Sequence, residues 1–148
     1  MIIRKLTKED FEEVLSMMLV FYASDALLVH PSETVLRKTL SDALGDTPYL
    51  KGYGFEENGV LAGYGMVAMS YSTEVGGLCA WIEDIYIRPQ YRGKGYGTGF
   101  LKFVKEHYED RVVRIRLEAE PENETAMAVY RKAGFEILGY TQLVKEMR

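Results

Sequence analysis

Apolar residues return every three or four positions along the first third of the chain, at Phe11, Val14, Leu15, Met18, Leu19 and Tyr22. That period puts them on one stripe and predicts an amphipathic helix over residues 8–23 with the stripe in the core. Thr7 offers its N-cap, and Asp10, three residues on, completes an approximate capping box. Ile2 to Leu6 reads as a short strand before it. After a loop ending at Pro31, Ser32 caps a second helix that runs through Leu44 and stops at Gly45, with Val35, Leu36, Thr39 and Leu40 on its apolar face. Tyr49–Glu57 and Val60–Ser70 then flank Asn58-Gly59. That pair suits a type I′ turn, which needs positive φ at both central residues, so the two runs form an antiparallel hairpin.

Ser72 to Gly77 reads as a turn, and the apolar content of Leu78–Ile87 predicts a central strand. Thr98–Tyr108 follows as a helix whose stripe is Phe100, Phe103, Val104, His107 and Tyr108. Residues 112–117 alternate, Val113, Ile115 and Leu117 against Arg114 and Arg116, and form a strand. Strand, helix, strand in that order implies a right-handed crossover, with 78–87 and 112–117 parallel. Asn123 caps a last helix to about Ala133, and Gly134 stops it. Phe135–Leu138 and Tyr140–Glu146, on either side of Gly139, predict a final antiparallel strand pair. The expected order is β-α-α-β-β-β-α-β-α-β-β, a mixed sheet with helices on both faces.

The 148 residues suit one domain spanning 1–148. A formal net charge of −4 without a basic run argues against a nucleic-acid partner, and a mildly acidic balance favours a cationic substrate. One cysteine, Cys79, excludes an internal disulfide. His30 and His107 lie too far apart to mark a zinc cluster, so no metal is expected. The N-terminus has no h-region and no apolar run approaches a membrane span, which predicts a cytoplasmic protein without a membrane partner.

Between the central strand and the third helix, glycine recurs at Gly93, Gly95, Gly97 and Gly99. Side chains are missing where the backbone turns into the helix, and the first amides of a helix point outward without an intrahelical partner. The positive helix end, with Arg92 and Lys94, makes a cradle for phosphate or pyrophosphate. It is not a P-loop, because no Ser or Thr follows Lys94. Nor is it a dinucleotide fingerprint, because Gly-x-Gly-x-x-Gly ends on Thr98 or Phe100 in either register.

Arg92-x-x-Gly95-x-Gly97, after a strand ending Ile87-x-Pro89, resembles the acyl-coenzyme A signature of the GNAT superfamily of N-acetyltransferases. A second signature lies in the last helix, Asn123-x-x-Ala126-x-x-x-Tyr130-x-x-x-Gly134-Phe135. Its i, i+3 and i+7 spacing places Asn123, Ala126 and Tyr130 along one wall. The two motifs cover residues 78–135; the first half of the chain matches in layout only. Tyr96 replaces the more usual isoleucine of the loop, a change expected to alter packing rather than cradle chemistry.

The resemblance implies a single α/β domain with a mixed, largely antiparallel sheet and a central parallel strand pair. It implies acetyl-coenzyme A as cosubstrate, held by Arg92, Gly93, Lys94, Gly95, Tyr96, Gly97 and Thr98, by the backbone of Ile85, Tyr86 and Ile87, and by Asn123, Ala126 and Tyr130. The N–H groups of 85–87 would polarise the thioester carbonyl, and Tyr130 would protonate the departing thiolate. The acetyl group would pass directly to a primary amine. A lysine-like amine has a pKa of about 10.4, so near pH 7 only about one molecule in 2,500 is the free base, a cost of about 4.6 kcal/mol. The site therefore needs a base, and Glu83 is the candidate, acting directly or through water.

Ile82-Glu83-Asp84 is similar to the matching stretch of spermidine/spermine and thialysine acetyltransferases. Glu83 and Asp84 become the candidate acceptor-binding pair, with a polyamine or lysine-like amino acid as acceptor. Neighbours in a regular strand face opposite ways, and a bulge, frequent in this strand of the family, would turn both toward the cleft. Two other readings stay open: acetylation of peptide N-termini or protein lysines, and a non-catalytic acyl-coenzyme A sensor. A cysteine acyl-enzyme is disfavoured, because Cys79 sits alone in a central strand. Homodimers joined through C-terminal strands are common among proteins with this resemblance, and the alternation of Tyr140–Met147 allows one.

Overall fold

Charge fixes where the first helix begins. Thr7 N–H donates to Asp10 at 2.8 Å, and Arg4 grips the same carboxylate through two nitrogens at 2.8 and 2.9 Å. The Arg4 guanidinium holds the Asp10 carboxyl down at about 2. In the computed structural model, which describes residues 1–147, strand β1 (Ile2–Lys5) enters helix α1 (Phe11–Tyr22) through this turn, and α2 (Glu33–Leu44) follows. Ser32 Oγ accepts from Val35 N–H at the start of α2, as a capping serine does. Strands β2 (Leu50–Glu57) and β3 (Val60–Ser72) form the hairpin, with φ of 52° at Asn58 and 78° at Gly59. Then come β4 (Gly77–Ile87), α3 (Tyr96–Tyr108), β5 (Arg114–Leu117) and α4 (Glu124–Lys132).

The five strands lie in chain order. Every neighbouring pair is antiparallel except β4 and β5, which are parallel from Cys79–Arg114 to Ile82–Leu117. Helices α1 and α2 cover one face, where Val14, Leu15, Met18, Leu36 and Leu40 pack on Tyr64, Met66 and Tyr86. Helix α3 covers the other, where Phe100, Val104 and Tyr108 pack on Phe55, Val67 and Ile82, and Val129 and Tyr130 of α4 join at the border. No helix among the described residues is long and apolar enough to cross a membrane.

One residue of β4 has no counterpart on β3. Met66 pairs with Asp84 and Val67 with Ile82, so Glu83 is the extra residue of a β-bulge. Side chains alternate along a strand, and the insertion reverses the phase. Ala80 and Ile82 face α3 before it, and Ile85 and Ile87 after it, while Asp84 and Tyr86 turn to the α1 face.

Close packing across the sheet depends on missing side chains. A Cβ on Gly65 would lie 2.4 Å from the ring of Phe100, which is fully buried. The expected result for Gly65→Ala is a loss of about 1–3 kcal/mol from overpacking, read as a lower urea midpoint at unchanged slope.

The structure departs from the sequence expectation at several places. Leu19 and Val35, expected on the apolar faces of the first two helices, are exposed, because each lies at the margin of its stripe. Helix α3 starts at Tyr96 rather than Thr98, because Gly95 takes a left-handed φ of 86° and caps the helix at once. Leu101 is buried in its stripe, whereas His107 is exposed and Phe103 half-buried. Strand β5 begins at Arg114, not Val112. No strand follows α4 among the described residues, so the predicted pair Phe135–Leu138 and Tyr140–Glu146 is not formed. Alternation makes a strand only where an edge takes up its backbone ladder. Here the segment is tethered by a side chain, Tyr140 Oη donating to Glu74 at 2.7 Å, and Leu143 and Val144 are 95% and 83% exposed.

Candidate active site

Beyond the Ile82–Leu117 pair the two parallel strands part. From Asp84 to Ile87 the β4 backbone keeps β3 on one side and, among the described residues, has no strand partner on the other. The glycine loop begins just past that free edge. A short 3-10 turn (Pro89–Tyr91) leads to Gly93 and Gly95, with φ of 74° and 86°. A Cβ at either would meet nothing within 4 Å, and one at Gly97 would meet only Ile87 Cδ1, at 3.7 Å. The first intrahelical bond runs from Gly99 N–H to Gly95 carbonyl at 2.8 Å. The N–H groups of Tyr96, Gly97 and Thr98 therefore open onto space that no side chain of the loop fills. Such a surface accepts an anionic phosphate group.

The loop side chains divide by role. Tyr96 is buried and its hydroxyl donates to Glu57 at 2.5 Å, so it anchors the loop to β2 and offers only its backbone to the cradle. Arg92 Nε donates to Ile87 carbonyl at 2.9 Å while its guanidinium lies 5.9 Å from the Tyr86 ring centre. Lys94 rests 5.2 Å over Tyr91. Both cations are exposed and held beside the cradle by aromatic rings.

Asp84 and Glu83 sit where the strands diverge, in different environments. Asp84 is 3% exposed, and each of its oxygens accepts a phenol: Tyr22 Oη at 2.6 Å on Oδ1 and Tyr64 Oη at 3.0 Å on Oδ2. Glu83 is exposed at the bulge. Partial desolvation raises its carboxyl above the ordinary range, and the like charges of Asp84 and Glu118 add to that. An exposed carboxylate tuned upward beside an open strand edge is suited to take a proton from an amine.

Tyr130 is carried by α4. It is half-buried, packs edge-on against Phe135 at 6.2 Å, and lines a 1050 Å³ cavity with Thr98, Leu117, Glu118, Met127 and Arg131. Burial alone pushes its phenol up. Neither Asn123 nor Ala126 lines this cavity. The Asn123 amide oxygen accepts from Ala126 N–H at 3.2 Å and caps the helix, and Ala126 is half-buried beside Met127. Cys79 is buried and its thiol is raised by burial, the state of an inert core cysteine. The sequence reading missed the two phenols on Asp84. Tyr22 lay on a helical apolar stripe and Tyr64 in a hairpin strand, and nothing local distinguishes either from a core aromatic.

A profile of the Acetyltransferase (GNAT) family matches residues 11–135. The bovine thialysine N-epsilon-acetyltransferase (Bos taurus) is 35% identical over 112 residues, 70% of this chain and 64% of its own length. The porcine protein of the same name (Sus scrofa) is 31% identical over 144 residues, 90% of this chain and 82% of its own. The chain thus spans less than two thirds of the bovine relative. Among solved structures, the aminoglycoside N-acetyltransferase AAC(6')-Iy in complex with CoA has the same fold, with a TM-score of 0.81 at 16% identity, covering 99% of this chain and 95% of that one. With most of its length inside the family profile, and with the parted strands and the glycine-rich helix start in place, this chain belongs to the GNAT acetyltransferase family.

Proposed function

We propose that the protein is an acetyl-coenzyme A-dependent N-acetyltransferase that acetylates a primary amine of a small cationic molecule, a polyamine or a lysine-like amino acid. The observation that carries this reading is the bulge that sets exposed Glu83 beside buried Asp84, at the parting of β4 and β5 and just ahead of the glycine loop. The two thialysine acetyltransferase relatives support the acceptor class.

The cradle fits the coenzyme. Gly93 and Gly95 leave open space, and the α3 amides of 96–98 have no helical partner. The loop from Arg92 to Thr98 would take its pyrophosphate, the free β4 edge at Ile85, Tyr86 and Ile87 would lie along it, and Ala126, Asn123 and Tyr130 would border it. When bound, the coenzyme supplies an acetyl group activated as a thioester.

The chain does the rest. Glu83 takes the proton from the acceptor ammonium, directly or through water, and makes the nitrogen nucleophilic. The unpaired N–H groups of the β4 edge stabilise negative charge as it develops on the carbonyl oxygen. Tyr130 Oη is the proton donor to the leaving sulfur. Asp84 has both oxygens engaged, so its part in acceptor recognition is to supply buried negative charge rather than a direct contact. The exposed Ile137, Leu143, Val144 and Met147 support a homodimer joined through the C-terminal segment.

Release of free thiol from acetyl-coenzyme A, measured against spermidine, spermine, putrescine, lysine, thialysine, an aminoglycoside and short peptides, tests the reading. The expected result is turnover confined to the small polycations and lysine-like amines. Turnover on peptides alone would replace the acceptor assignment, and coenzyme binding without turnover on any amine would favour a sensor.

A further inference from the structure

We propose that Tyr22, the last residue of α1, is a positioning residue for the reaction: with Tyr64 it fixes the Asp84 carboxylate in its ionised form next to Glu83, and through that charge it sets the basicity of Glu83. The inference rests on the reading of Glu83 as the base.

A carboxylate buried as deeply as Asp84 stays ionised only where hydrogen bonds replace its lost water. Here one phenol serves each oxygen, at 2.6 and 3.0 Å. Burial raises the Asp84 carboxyl, and the two phenol bonds pull it part of the way back, so that it stays above its ordinary range. Burial and the neighbouring carboxylate push both phenols far above their ordinary value, so both remain donors throughout the working range. The two donors are not equivalent. Tyr64 is locked in the β3 ladder opposite Tyr86 and is fully buried. Tyr22 is half-buried, feels the charge of Glu83 as well as that of Asp84, and its carbonyl oxygen lies 2.6 Å from His30 Nδ1 in the loop that follows. It is thus the more exposed of the two donors to Asp84.

Every titratable group facing the pair takes part in the same balance. Tyr22 approaches from α1, Tyr64 from β3 and Glu118 from beyond β5. Tyr86, under the Arg92 guanidinium, acts on Tyr64, and His30 stands at the Tyr22 backbone. Among the described residues no lysine or arginine offsets either carboxylate. Removing the Tyr22 hydroxyl takes away a bond that favours ionised Asp84. Asp84 then binds a proton more readily, its repulsion of Glu83 is lost, and Glu83 becomes a weaker base.

The test is a ¹³C NMR titration of the full chain labelled at glutamate Cδ, with the Glu83 signal assigned by its absence in Glu83→Gln. Tyr22→Phe keeps the ring and its edge contact with Phe21. It is expected to lower the Glu83 midpoint by about one pH unit. Asp84→Asn should lower it at least as far, and adding Tyr22→Phe to Asp84→Asn should produce no further shift, because both act through one charge. A His30→Asn background removes the nearby imidazole and should leave the Tyr22→Phe shift intact. An unchanged or raised Glu83 midpoint in Tyr22→Phe, with Asp84→Asn still lowering it, overturns the proposal and leaves Tyr22 as packing. The NMR signal reads Glu83 whether or not it is the base. If the midpoint falls in Tyr22→Phe while the acid limb of kcat/KM stays put, the coupling stands and the base assignment fails.

Discussion

Glu83→Gln is expected to slow acetyl transfer by about 10²–10⁴-fold, the range a positioned base contributes, with coenzyme affinity unchanged. In free energy this is about 2.7–5.5 kcal/mol of barrier, comparable to the cost of freeing a lysine-like amine from its proton near pH 7. With Glu83 as the proposed base, its raised carboxyl is expected to set the pH dependence. The base form would disappear as the pH falls through its folded value, so the acid limb of kcat/KM is expected above the ordinary carboxylate range. The same shift has the opposite sign for stability. A carboxyl raised in the folded state favours folding at low pH and loses that advantage as the pH rises through its folded value, so charged Glu83 is a liability at neutral pH. Glu83→Gln removes it, and the melting temperature does not fall. Full turnover in Glu83→Gln across the pH range would remove Glu83 from the mechanism.

Tyr130→Phe is expected to lower kcat by about 10²-fold or more with little change in KM for the coenzyme. Full transfer from an ordinary phenol to a thiolate of conjugate-acid pKa about 8.5 is uphill by about 2 kcal/mol, and burial of Tyr130 adds to that. As the proposed acid, the phenol would therefore act largely through a hydrogen bond that strengthens as charge builds on sulfur, which would place the effect at the lower end of the range. Single-turnover rates with a saturating amine isolate this step, and a rate equal to that of the unaltered chain would leave Tyr130 as a packing residue.

The parts of this site that sequence made legible are those with a local physical signature. Gly93 and Gly95 announce positive φ, Asn58-Gly59 announces a hairpin, and the spacing of Asn123, Ala126 and Tyr130 announces a helix face. Tyr130 lines the cavity, and Asn123 caps its helix as its place ahead of that helix predicts. Tyr22 and Tyr64 were invisible as a pair because they lie 42 residues apart in the chain and meet only across Asp84. The C-terminal strands failed for the converse reason. Their alternation is local, but a ladder needs a second edge, and sequence does not say whether one is free.

The extra residue at Glu83 makes β4 a strand written in two reading frames. Run as a regular strand at its full length, β4 would deliver Tyr86 to the layer that holds Phe100, and Ile85 and Ile87 to the layer that holds Tyr64. Deleting Glu83 would instead leave all three in their present layers and remove only the residue that stands outside the alternation. The bulge thus lets the strand carry one acidic side chain without disturbing the packing on either face.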